Sequence, residues 1–338
     1  MTMSKRTAST LADVAAAAGV SRSTASRALN DSPRISEATK QRIRDIAHQI
    51  NFVPNARGRA LAVGRSETIA VLVTEPLSEL FSDPTYGAFL SGITEQLSES
   101  EYLPVLLQAS TPHERERVVR HFERRSFDAV IDISPYRGSE LLDVLRDLEV
   151  PTVLCGQLEG HPYRDVFSTV YSDDVEGAAL AARAMVNRGR TNCVAILGPK
   201  DNPAVIDRVR GYTRVLGEAL PEDLILYTGW SASDGFLAMR HLLERGVRPD
   251  GVLAGSDRIA SGVIEALRDY DLLVPRDVSV IGFDDHPIAT KVTPRLTTIR
   301  QPLHLEGSMA ADMALELIDG AEPTTTVLHM ELIERESL

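Results

Sequence analysis

From Thr68 onward, short apolar runs alternate with longer stretches in which apolar residues return every three or four positions. The runs "TIAVLV", "LPVLLQ", "DAVIDIS" and "PTVLCG" have the length and β-branched content of buried strands. Between them the spacing predicts helices over residues 86–100, near 114–125 and in "SELLDVLRDL". A second round starts at "VFSTVYSDD". It runs through a helix to Arg188, the strand "CVAILG", a helix through Gly211 and the strand "DLILYT". A helix near 232–244, the strand "GVLAG", a helix over 258–270 and the strand "VSVIGF" complete it. Strands that are apolar along their whole length, separated by helices, predict parallel sheets covered on both faces. Two such rounds predict two similar lobes. In the tail, "LTTIRQP" reads as a crossover strand, residues 304–318 as a helix and "TVLHMELIERES" as a last strand.

The first 65 residues follow another pattern. Thr10 and Asp13 form a capping box that opens a helix over 11–18, and Gly19 supplies the positive φ that ends it. Ser21 caps a second helix over 22–29, and Ser36 caps a third. On the third, Ile43, Ile46, Ala47 and Ile50 form one apolar stripe, over which Leu11, Val14, Ala15, Val20, Ala25 and Leu29 close a small core. Two short helices joined at a glycine turn predict a helix-turn-helix. The second helix leaves Ser21, Arg22, Ser23, Ser26 and Arg27 on its polar side. Small hydroxyls allow close approach to phosphates, and an arginine addresses guanine O6 and N7 with two hydrogen bonds. That composition, at the N-terminal end of such a helix, predicts a recognition helix in a DNA major groove.

Pro54 stops the third helix, and Asn55 caps a short helical segment over 56–63 that ends at Gly64. The segment is too short to be stable alone, and Gly58 weakens it by roughly 1 kcal/mol relative to alanine. Arg57 and Arg59 make DNA its expected organiser.

Charge sharpens this division. Residues 1–65 hold 11 basic and 4 acidic side chains, a charge of +7, whereas the 338-residue chain carries -12, leaving -19 on the remainder. A basic head on an acidic body predicts polyanion contact confined to the head. No apolar run spans a bilayer, and "MTMSKRTAST" lacks the apolar region of a secretory signal, so a cytoplasmic location is expected. Cys155 and Cys193 lack metal-ligand spacing and read as reduced, buried thiols. "GPKDNPAV" is not a P-loop, and no G-x-S-x-G elbow is present. "DDH" at Asp284, Asp285 and His286 is too local to converge on one metal ion. Asp257 and Asp284, read as a glycosidase pair, come without an evident proton donor. No enzyme, cofactor or metal site is expected.

"TLADVAAAAGVSRSTASRALN" followed by "FVPNARGRAL" resembles the head of the LacI/GalR family of bacterial transcription regulators, and the resemblance extends through the chain. It implies an all-α helix-turn-helix headpiece over residues 1–53, a hinge over 54–66 and, over 67–338, a two-lobed α/β core with parallel sheets, like periplasmic sugar-binding proteins. The chain crossings are expected near Phe167, Thr297 and Thr325, giving an N-lobe of 67–166 with 298–324 and a C-lobe of 167–297 with 325–338. The implied DNA contacts are Thr10, Ser21, Arg22, Ser23, Thr24, Ser26, Arg27 and Asn30, with Asn55, Arg57 and Leu61 in the hinge. Leu61 matches the leucine that wedges into the minor groove. Gly58 departs from the usual alanine.

The resemblance also implies a homodimer on a palindromic operator and a small effector, a mono- or oligosaccharide, in the interlobe cleft. Arg208 in "DRVRGY" matches an effector-binding arginine. Asp284 in "IGFDD" matches an acceptor position. Ser256 and Asp257 stand where the family often has Asn-Asp. Trp230, the one tryptophan, and Tyr86 match aromatics that cover a sugar ring. Gly156 stands where some relatives have an acidic side chain, which widens the pocket. The expected function is a sugar-released repressor. The alternative is a DNA-binding regulator whose core is ligand-independent or protein-controlled.

Overall fold

A computed structural model of the chain describes residues 9–52, 65–134, 140–156, 160 and 162–338. It divides into two compact units, Met1–Glu67 and Thr68–Leu338. In the first, α1 (Leu11–Ala18), α2 (Arg22–Leu29) and α3 (Glu37–Gln49) begin at Thr10, Ser21 and Ser36, each side chain accepting a backbone N–H of its own first turn. Thr10 and Asp13 complete a capping box, and Gly19 closes α1 at φ 64°. Val14, Ala18, Ala28, Ile43 and Ala47 form the centre of this core. Ala28 faces inward where the pattern pointed to Leu29, which packs at the margin beside Val20.

The second unit contains two six-stranded sheets. The first is ordered β11-β5-β4-β3-β1-β2. Its strands are β1 (Thr68–Val73), β2 (Leu103–Gln108), β3 (Ala129–Asp132), β4 (Thr152–Cys155), β5 (Ser168–Ser172) and β11 (Thr325–Leu328). The second is ordered β12-β10-β9-β8-β6-β7. It holds β6 (Cys193–Leu197), β7 (Ile225–Tyr227), β8 (Gly251–Ala254), β9 (Ser279–Asp284), β10 (Thr297–Arg300) and β12 (Glu331–Ile333). All pairings are parallel except β10 with β12.

Helices cover the sheets. Those following strands of the first are α4 (Leu77–Ser82), α5 (Pro84–Leu97), α6 (Pro112–Glu123) and α7 (Glu140–Asp147). The second is served by α8 (Asp174–Asn187), α9 (Pro203–Leu216), α10 (Ala232–Glu244) and α11 (Asp257–Asp269). Then α12 (Leu303–Ile318) returns to the first lobe and lies on α5. Gly92 and Gly307 permit that approach, since a Cβ at either would strike the opposing backbone. Each sheet has buried apolar clusters on both faces, as parallel strands require.

The crossings differ from the sequence expectation. Ser168–Ser172 pairs with β4 and β11 and belongs to the first sheet, so the first crossing follows Ser172 rather than Phe167. Thr297–Arg300 belongs to the second sheet, and the return crossing is Gln301–Pro302. "TVLHMELIERES" is two strands, β11 in the first sheet and β12 in the second, so the third crossing follows Leu328 rather than Thr325. An apolar run marks a strand but carries no label for its sheet. Pairing with β4 decided the place of β5.

Candidate functional site

On the head, Ser21, Arg22, Ser23, Arg27 and Asn30 are exposed, and Thr24 and Ser26 are half-buried. The start of α2 is stiffened by hydroxyls: Ser21 Oγ lies 2.9 Å from Ser23 Oγ and 2.8 Å from Thr24 Oγ1. The basic side chains divide into two groups. Lys40 is buried and pairs with Asp31 at 3.0 Å and Glu37 at 2.6 Å, and Arg44 pairs with Asp31 at 2.8 Å. Arg42 donates to the carbonyl of Ala18. Arg22 and Arg27 have no partner among the described residues and stand out from α2. The helix therefore presents two uncommitted guanidinium groups among small hydroxyls. Thr10 sits apart from that row, engaged in capping α1. Asn55, Arg57 and Leu61 lie outside the described residues.

In the second unit the polar residues gather at the carboxyl ends of the strands, where loops of the two sheets meet. Asp83 caps α5, accepting the N–H of Thr85 at 3.0 Å, and receives Arg258 NH2 at 2.5 Å from the opposite lobe. Thr85 Oγ1 lies 3.1 Å from His286 Nε2, which is also 3.8 Å from Asp83 and 3.7 Å from Asp284.

Arg208 lies at the centre of the second lobe's strand ends. It is 4 % exposed. Its Nε donates to Asp174 Oδ1 at 2.7 Å, NH1 donates to the carbonyl of Gly255, and NH2 lies 3.5 Å from Asp284 Oδ1. The guanidinium carbon is 3.7 Å from the centroid of Phe283. Gln301, on the return crossing, donates to Asp284 Oδ1 at 2.5 Å. Burial pushes the Asp174 carboxyl up to about 6 against the pull of Arg208.

Asp284 and Asp285 have φ of 98° and 60°, a left-handed turn that costs on the order of 1–3 kcal/mol per residue. Asp257 explains how the turn is held. Its Oδ2 accepts the N–H of His286 at 2.6 Å, and its Oδ1 accepts Thr298 Oγ1 at 2.6 Å. Both oxygens are thus engaged and the side chain is fully buried, so Asp257 braces the turn. Burial pushes its carboxyl well above the usual range. Ser256 is likewise turned inward, its Oγ capping α11 through the N–H of Ile259 at 3.2 Å. Both residues, expected to bind effector, make these intramolecular bonds in the structure.

Trp230 is half-buried and packs between the two clusters of the second sheet. Its indole lies flush on Gly198, where a Cβ would collide with the ring. Tyr86, in the first turn of α5, rests against the core of the first lobe. The structure thus brings Arg208 and Asp284 together, packs Trp230 on the same lobe's sheet and leaves Tyr86 against the core of the other lobe. Sequence reasoning missed Asp174, Asp83, Arg258 and His286. Asp174 carried a legible signal, an acidic pair directly after the strand "STVYS". Among the described residues no cluster of His, Cys, Asp and Glu fits a metal ion, and no helix is long and apolar enough to cross a membrane.

A model for "Bacterial regulatory proteins, lacI family" matches residues 10–55, and one for "Periplasmic binding protein-like domain" matches 182–338. The chain is 34% identical to the HTH-type transcriptional regulator CelR of Thermobifida fusca, over 99% of this chain and 100% of that one. A solved CelR-cellobiose complex superposes with a TM-score of 0.77 at 33% identity, covering 97% of this chain and 99% of the other. The lac repressor dimer bound to operator and the anti-inducer ONPF gives a TM-score of 0.84 at 22% identity, over 98% and 99%, a likeness of fold.

Proposed function

The chain belongs to the lacI family of bacterial regulatory proteins, and from that premise we propose how this DNA-binding transcriptional regulator is controlled: as a dimeric, cytoplasmic repressor whose operator is released by a sugar. The observation that carries the reading is the Arg208–Asp174–Asp284 cluster at the strand ends, with Trp230 on the same sheet. Fixed donors and acceptors beside an aromatic face suit a ring that is hydroxylated at its edge and apolar on its faces. The likeness to a cellobiose-bound regulator supports a β-glucoside or a related oligosaccharide as effector.

On the head, Ser21, Arg22, Ser23, Thr24, Ser26, Arg27 and Asn30 contact the operator. In the hinge, Asn55, Arg57 and Leu61 do so. Thr10, at the start of α1, contacts the operator as well. Dimerisation is supported by apolar side chains exposed on the first lobe. Leu103 and Leu106 stand on the edge strand β2, at 67 % and 40 % exposure, and Phe81 on α4 is 80 % exposed. A twofold dimer presents two heads to a palindromic site.

The test is a fluorescence-anisotropy titration with a palindromic operator selected from random DNA, repeated with cellobiose and a panel of mono- and disaccharides. The expected result is release by one sugar. Linkage requires that operator weaken binding of that sugar by the same factor, typically 5- to 150-fold. Tight operator binding that no sugar alters would remove the effector reading and leave DNA binding intact.

A further inference from the structure

Glu306 lies in the first turn of α12, just after the return crossing. It is 3 % exposed, a carboxyl placed in the stripe of Leu303, Gly307, Ala310 and Ala311 that faces the first sheet. Its Oε2 accepts Ser172 Oγ at 2.8 Å. The other oxygen has no partner among the described residues, and it is not sealed from solvent in the way that Asp132 Oδ2 is. An unpaired carboxyl oxygen in an apolar stripe is unfavourable unless something bonds it.

Its location gives that oxygen a role. Ser172 ends β5, and Asp174, two residues on, begins the second lobe and holds Arg208. Two residues span at most about 7 Å. The first crossing therefore carries Glu306 on one side and Arg208 on the other. The return crossing repeats this, with Gln301 on Asp284 and Glu306 a few residues beyond. Glu306 is thus the first lobe's counterpart to the Arg208 cluster, fixed by Ser172 with one oxygen unoccupied. The cations nearby are already engaged. Arg208 is held by two carboxylates and a carbonyl, and Arg258 is held by Asp83.

Resting on the effector reading above, we propose that Glu306 contacts the effector from the first lobe and that the site accepts only uncharged sugars. A neutral carboxyl both donates to and accepts from sugar hydroxyls. Burial, opposed only in part by the Ser172 bond and reinforced by the negative charge of Asp174, pushes the Glu306 carboxyl up to about 8, which keeps it in that form at neutral pH. An anionic sugar would bring its charge to the Asp174 and Asp284 carboxylates, and the neighbouring Arg208 and Arg258 are each already paired with a carboxylate.

The experiment is calorimetric titration of the full-length chain, wild type, Glu306→Gln and Glu306→Leu. The probes are cellobiose, maltose, glucose and ribose, together with the aldobiouronic acid matched to cellobiose. Thermal midpoints of the unliganded variants report folding. The expected result is that wild type binds a neutral sugar and not the acid. Glu306→Leu loses about tenfold or more in affinity, the equivalent of one hydrogen bond, while its midpoint is unchanged or higher. Glu306→Gln retains most of the affinity. Wild-type affinity falls above pH 8, and that of Glu306→Gln does not. Equal affinity in wild type and Glu306→Leu, or tighter binding of the acid, overturns this inference and leaves the effector reading standing. A wild type that binds none of the neutral sugars overturns both.

Discussion

Asp83 and Arg258 belong to different lobes and meet in an ion pair of 2.5 Å, with side chains only 18 % and 16 % exposed. Asp83 also caps α5, so its orientation is set by the helix it begins. Beside them, Thr85 and His286 make a second cross-lobe contact at 3.1 Å. Any separation of the lobes must break both pairs. Groups in direct contact typically couple by about 0.5–3 kcal/mol. Asp83→Asn and Arg258→Gln should each speed effector dissociation several-fold, and the double variant should lose little more than either single one. A double-mutant cycle on stopped-flow dissociation rates checks this. Strictly additive effects would show that the pair contributes nothing to closure.

Trp230 lies against Gly198 without intervening space, and it is the one tryptophan in the chain. Tryptophan emission, excited where the eight tyrosines do not absorb, therefore reports on this one position. Effector binding should shift and intensify it. Gly198→Ala should displace the indole, cost about 1–3 kcal/mol of stability through overpacking, and abolish the emission change at matched saturation. Wild-type emission that does not change at effector saturation would place Trp230 outside the site.

Much of the fold was legible because its signals are local. Thr10, Ser21 and Ser36 announce the three head helices, and each bonds the first turn of its own helix. The apolar runs announce the strands, because strands buried on both faces have no polar side to show. Sheet membership was not legible. Ser168–Ser172 reads the same whether it pairs with β4 or with β6, and only long-range pairing distinguishes them. Two charged members of the cluster stood out in the sequence, Arg208 in α9 and Asp284 at the end of β9. The bracing role of Asp257 was not legible, since a sequence shows that a carboxylate follows a strand but not that Thr298 and His286 engage it. Glu306 left a trace, one acid in an apolar helical stripe, whose meaning required Ser172 from a residue 134 positions away.

In the head, Arg22 and Arg44 provide a matched contrast. Arg22 is exposed on α2 with no partner among the described residues, whereas Arg44 is paired with Asp31. Arg22→Ala should relax base preference at one operator position, costing about 1–3 kcal/mol there, if its guanidinium addresses a guanine edge. Arg44→Ala should leave the preference unchanged. Binding-site selection on both variants checks this. Uniform weakening of all operator sequences by Arg22→Ala would make Arg22 a phosphate contact.

Asp132, the last residue of β3, is fully buried with Oδ1 accepting the N–H of Ser134 at 3.0 Å and Oδ2 unpartnered. Burial pushes its carboxyl up to about 7, and the Ser134 bond offsets only part of that. The folded chain therefore holds a proton that the unfolded chain has lost between its ordinary value of 3.8 and about 7. Native protons exceed unfolded protons across that window, so this group lowers stability progressively as pH rises through it, and the loss is complete above about 7. Asp132→Asn removes the titration. Its stability relative to wild type should improve steadily from pH 4 to pH 7 and then hold constant. Urea denaturation of both chains at pH 5, 6, 7 and 8 measures the difference. A difference that does not change with pH would mean that Asp132 is ionised in the folded chain throughout, with a partner for Oδ2 that solvent supplies.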